Sequence, residues 1–142
     1  MTEDEWRDCL RRMDDNARSI EMWEPAEPDA SALRCVDSRH RTLAHLRACQ
    51  ETWLTACAAF AERSEPRFSL PHPWRVFEHY GYATIAWHDH LAAYVADRTR
   101  WKAILSTADR MRGGVVDGKP RTIASLTGRL VAHEKRHLIG PR

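Results

Sequence analysis

Four stretches of this 142-residue chain place apolar side chains three and four positions apart, and Pro or Gly separates each stretch from the next. That spacing winds one apolar stripe along a helix, and the stripe must be buried against a neighbour. The first stretch predicts a helix over residues 3–22, with Thr2 and Glu5 as a capping box and Trp6, Leu10, Met13, Ala17 and Ile20 as its stripe. Pro25 and Pro28 end it. The second predicts a helix over 39–63, capped by Asp37 or Ser38, with Leu46, Cys49, Trp53, Ala56 or Cys57, and Phe60 inward. Residues 64–78 hold Pro66, Pro71 and Pro73 and read as a long crossover loop.

The third helix is expected over 77–111 on Trp87, Leu91, Tyr94, Arg98, Trp101, Leu105 and Ala108. Arg98 interrupts that apolar run and is expected to reach outward with its head group. Gly113-Gly114 stops the helix, Asp117-Gly118 marks a turn, and the loop runs on to Pro120. The fourth helix takes Thr122 as its cap, carries Ile123, Leu126, Leu130, His133 and His137 on one stripe, and ends before Gly140-Pro141. No strand pattern or internal repeat is evident. Four amphipathic helices in a single domain spanning 1–142 point to an all-α four-helix bundle.

Composition narrows the function classes. Apolar residues make up 43% and charged residues 30%, the balance of a globular chain rather than a disordered one. Net charge is +2 with His neutral and the arginines lie among acidic residues, so nucleic-acid binding gains no support. No apolar run approaches a membrane-spanning length. The acidic start Met1-Thr2-Glu3-Asp4-Glu5 is not that of a signal peptide. Cys9, Cys35, Cys49 and Cys57 show no C-x-x-C spacing, so free thiols in a reducing cytoplasm are the expectation.

The run His133-Glu134-Lys135-Arg136-His137 carries the chemistry. Two histidines four apart share a helix face and can share one metal ion. The spacing also fits the H-E-x-x-H pattern of zinc proteases, in which the Glu is a general base. A protease needs a further ligand downstream, and Leu138, Ile139, Gly140, Pro141 and Arg142 supply none. A bundle supplies one from a facing helix instead. With a long crossover between the second and third helices, the start of the second lies level with the end of the fourth, and His45 joins His133 and His137. Three neutral imidazoles suit Zn, Ni, Fe or Co and leave open positions for water or substrate. Histidines near a helix C-terminus that complement its dipole are the plainer alternative.

Glu134 is a tentative general base, but pairing with Lys or Arg at the surface is the favoured role. Cys49 lies one turn after His45; it is either a fourth, thiolate ligand or a small buried residue, the commoner role. His88 and His90 are two apart and do not share a face, so solvation or packing is expected. His79, Tyr80, Tyr82 and Trp23 fit the rim or core near the metal end, and His72-Pro73 a lid or simple loop.

Three motifs together resemble the DinB-like (YfiT-like) metal-binding superfamily. They are Arg41-Thr42-Leu43-Ala44-His45-Leu46 followed by Glu51-Thr52-Trp53-Leu54, then Gly118-Lys119-Pro120-Arg121-Thr122-Ile123, then Leu130-Val131-Ala132-His133-Glu134-Lys135-Arg136-His137-Leu138. The resemblance spans essentially the whole chain. It implies an up-down-down-up four-helix bundle with His45, His133 and His137 on a divalent transition metal (Zn, Ni or Fe). It also implies a low-molecular-weight thiol cosubstrate, a small-molecule substrate, S-transfer or isomerisation, and a homodimer. Hydrolysis by metal-activated water, or a non-catalytic stress-response module, are the other readings. The chain departs from the family in carrying Asp37-Ser38 and Arg41 where many members have Trp-Ser and a Glu, which bears on substrate preference rather than on the metal ligands.

Overall fold

The computed structural model describes residues 1–25 and 38–139. Pro28, Cys35, the Asp37 cap and Gly140-Pro141 lie outside them, as does the side chain of Ser38. The described residues form α1 (Glu3–Glu21), α2 (Ser38–Glu62), β1 (Arg67–Phe68), α3 (Pro73–His79), a 3-10 turn (Tyr82–Thr84), α4 (Trp87–Thr107), β2 (Gly113–Val116), β3 (Lys119–Thr122) and α5 (Ile123–Ile139). The protein is mostly helical and carries a small sheet that its sequence pattern did not suggest.

The helix starts follow local chemistry. Thr2 accepts from the Glu5 amide at 3.1 Å and the Glu5 carboxylate accepts from the Thr2 amide at 2.8 Å, a reciprocal capping box. Thr122 and Ser125 do the same for α5, at 3.0 and 2.8 Å. Trp6, Met13, Leu54, Phe60, Trp101, Leu126 and Leu130 form the main core. A second cluster holds Ile20, Leu43, Leu46, Trp87 and Tyr94 at the other end of the helices.

Contacts between helices set their courses. His40 meets Trp87, Arg47 meets His90 and Gln50 meets Tyr94, so positions on α2 and α4 rise together. Between α2 and α5 they run opposite ways: His45 meets His137, and Trp53 meets His133.

Two expectations are corrected. The long helix over 77–111 is not continuous. His72 caps a separate short helix that has Pro73 in its first turn, and Gly81 turns the chain with φ 64° before α4 begins at Trp87. The crossover segment 64–78 is therefore partly structured, and α4 already ends at Thr107. The region from Gly113 to Thr122 is a hairpin rather than a loop, joined by Asp117 and Gly118 at φ 51° and 78°. Two positive φ values make the tight turn that matches strand twist. β1 pairs in parallel with β2, and the carbonyl of Pro66 comes so close that a Cβ on Gly114 would stand 2.2 Å from it. Gly113-Gly114 is thus a place where backbones meet.

Candidate metal centre

Helices α2 and α5 bring the sequence-predicted histidines together. The three ring centroids lie 5.2 Å apart for His45–His133, 5.1 Å for His45–His137 and 4.7 Å for His133–His137. Cys49, one turn after His45, enters the same group. Its Sγ is 3.6 Å from His45 Nε2 and 3.9 Å from His133 Nε2. The ligand atoms of His45, Cys49 and His133 all lie within 4.8 Å of one another, and the His137 ring stands at the edge of that set. A tetrahedral zinc with ordinary bond lengths has an S···N edge of about 3.6 Å. These three residues can therefore hold a metal ion with little rearrangement.

The electrostatics favour ligation. Burial pushes His45 down to about 4, helped by His137 and His72 nearby. Burial pushes His133 down to about 3, with His137, His45, Arg136 and Arg129 adding to it. His137 is lowered by burial and by Arg136. The cluster is thus neutral at pH 7, the state in which an imidazole offers a lone pair. The buried Nδ1 of His133 has no hydrogen-bond partner among the described residues, and its Nε2 is the atom that faces Cys49. Burial, and next the charge of Glu134, push the Cys49 thiol up to about 12.

Aromatic rings frame the cluster. Trp74 of α3 stacks on His45 at 4.9 Å and 19°, and Trp53 of α2 meets His133 edge-on at 5.4 Å. The Nδ1 of His72 accepts from the Trp74 amide at 3.2 Å, so the cap that starts α3 also places this ring. A cavity of about 550 Å³ opens beside the ligands, bounded by α2, α3, α5 and the hairpin. Trp74 is a site residue that helical spacing does not reveal. Its signal was the Pro73-Trp74 pair within a segment taken for loop.

Glu134 is not at the surface, and it is not available as a base at the metal. It is fully buried and ion-paired with Arg98, which is equally withdrawn from solvent. The Tyr94 hydroxyl donates to the same carboxylate at 2.6 Å, and Asn16 Nδ2 approaches its other oxygen at 3.5 Å. Arg98 donates further to Gln50 Oε1 and to the Met13 carbonyl, each at 2.7 Å. The expectation that Arg98 reaches outward is overturned: α1, α2 and α5 supply acceptors for it in the core.

The remaining residues take structural places. His90 is buried, with Nε2 2.9 Å from the Tyr82 carbonyl and Nδ1 3.1 Å from Arg47 Nη1. His79, Tyr80 and His88 are exposed. Tyr82 is buried and donates its hydroxyl to Glu51. Trp23 packs on the second core cluster, and Cys9, Cys49 and Cys57 are free thiols. No described helix is long and apolar enough to cross a membrane.

No protein-family model, no curated protein and no solved structure matches this chain.

Proposed function

We propose that this protein is a divalent-metal-dependent enzyme of the DinB-like kind, a four-helix bundle of up-down-down-up course with a His45, His133 and His137 site. The reaction we assign is thiol-dependent S-transfer or isomerisation on a small electrophile. The observation that carries this reading is the group of neutral imidazoles at the mouth of a 550 Å³ cavity. Zinc, nickel and iron all suit such donors. A metal bound there lowers the pKa of a thiol or water and supplies a nucleophile at neutral pH. Trp74 stacks on His45 and Trp53 meets His133 edge-on, so each imidazole has an aromatic neighbour. Glu134 is engaged in the core and so withdrawn as a base for hydrolysis, which favours a thiol as nucleophile.

Elemental analysis of the purified protein beside His45→Ala and His133→Ala tests the metal. One metal per chain in the wild type and none in the variants is expected. Absence of stoichiometric metal after reloading overturns the proposal. Incubating the loaded protein with an electrophilic dye, with and without a panel of small thiols, tests the reaction, and thiol-independent turnover removes the transferase reading.

One observation favours a second reading. Cys49 sits at ligand distance from both His45 and His133. A thiolate ligand there closes the coordination shell, as in structural zinc sites. The protein is then a non-catalytic metal-binding module.

A further inference from the structure

The cavity beside the histidines carries a charge pattern that metal ligation does not use. Lys119 and Arg121 of β3 and Arg129 of α5 line it, and Asp117 is the one carboxylate in its wall. Asp117 is already engaged, accepting from the Leu70 amide at 3.3 Å. On α1 the cations find acids: Arg11 pairs with Asp8 and Asp15, Arg12 with Asp8, and Arg18 with Asp15. Among the described residues, Lys119, Arg121 and Arg129 form no such pair. Arg121 is half-buried all the same.

The placement is specific to the ligand group. Arg129 lies one turn before His133 on α5, and its guanidinium sits 5.5 Å from the Trp53 ring, which itself meets His133. Cation, aromatic surface and imidazole thus follow one another along one wall. Like charges gathered at a concave, partly desolvated surface raise one another's energy, and an anion entering among them lowers it. A divalent metal adds two further positive charges to the same place.

We propose that the cavity binds a small organic anion, a carboxylate or phosphate ester with a flat apolar body. Lys119, Arg121 and Arg129 hold its acid group, and Trp53 and Trp74 hold its body. Placing the other end of that anion against a bound metal rests on the function proposed above; the anion-binding wall stands without it. Anion and metal reinforce each other, because each screens the charge that opposes the other, and linkage makes the effect reciprocal.

The test titrates benzoate, phenyl phosphate and neutral benzamide into the full-length protein, metal-free and Co(II)-loaded, by calorimetry. Both anions are expected to bind at least tenfold tighter than benzamide, and more weakly as salt rises. The tighter of the two names the acid group. Arg129→Gln and Arg121→Gln are each expected to lose about tenfold in anion affinity, with benzamide binding and the circular dichroism spectrum unchanged. Lys119→Gln, at an exposed position, gives the same answer if Arg121→Gln does not fold. Benzamide binding as tightly as benzoate, or anion affinity unchanged in the variants, overturns the proposal. Arg-dependent anion binding without Co(II) uptake upholds it and removes the metal reading instead.

Discussion

His133 and Glu134 are neighbours on α5 and belong to opposite worlds. His133 faces a cavity, is neutral, and leaves its Nδ1 without a partner among the described residues. Glu134, about 100° around the helix, is completely buried and engages Arg98, Tyr94 and Asn16. The buried Arg98–Glu134 pair compensates its own charges, whereas the site keeps lone pairs without charges.

The largest expected effect breaks this comparison on the Glu134 side. Glu134→Ala leaves the Arg98 guanidinium buried and unpaired, which costs about 3–5 kcal/mol. Urea denaturation of the metal-free protein measures it. The double variant Arg98→Met/Glu134→Leu removes both charges and is expected to recover most of that loss. A Glu134→Ala protein as stable as wild type, yet unable to take up metal, would place Glu134 with the site instead of the core.

On the other side, His133→Ala is expected to abolish stoichiometric metal uptake while changing the stability of the metal-free protein by about 1 kcal/mol or less. Elemental analysis and urea denaturation on the same preparation check both halves. A loss as large as that of Glu134→Ala would make His133 a core histidine.

Acid sharpens the contrast further. The folded-state pKa values of His45 and His133 lie near 4 and 3, below the ordinary value of 6.5. Above pH 6.5 neither state binds the extra protons and the full stability is present. As pH falls below 6.5, the unfolded chain takes up protons that the folded chain refuses, so stability declines toward pH 3–4. Urea midpoints of the metal-free protein between about pH 7.5 and 4.5 are expected to fall, and to fall less in a His45→Gln/His133→Gln variant. Equal slopes for the two proteins would mean that these imidazoles are not held neutral by burial.

How much of this was legible in the sequence varies with the range of the interaction. The α1 and α5 caps are local, and Thr2, Glu5 and Thr122 announce them. The hairpin is not local. Gly113-Gly114 and Pro120 are poor strand formers, and their strands exist because β2 gains partners on both sides, from β1 48 positions earlier and from β3. Pro120 is tolerated because β3 is an edge strand. Glu134 misled for another reason. It lies four residues after Leu130 and seven after Thr127, both buried, so periodicity placed it inward as firmly as it did His133. Its charge alone argues for the surface, as does that of its partner Arg98 in the stripe of α4. Two opposite charges on the inward faces of different helices were the signal for a buried pair.

Cys49 gives the smallest effect and decides how open the site is. Its thiol, near 12, is fully protonated at pH 7.5, and the imidazoles beside it are already neutral. A metal held by histidines alone therefore displaces almost no protons from the protein, whereas a metal that recruits Cys49 displaces about one. Calorimetry of Zn(II) binding in two buffers of different ionisation enthalpy reads that number directly. Cys49→Ala is expected to change the stability of the metal-free protein by about 1 kcal/mol or less, so the measurement can be repeated without the thiol. The transferase reading expects no proton release in either protein, because a coordination position is kept for an external thiol. One proton released by the wild type and none by Cys49→Ala would mean that the site uses its own thiol where a substrate's should go.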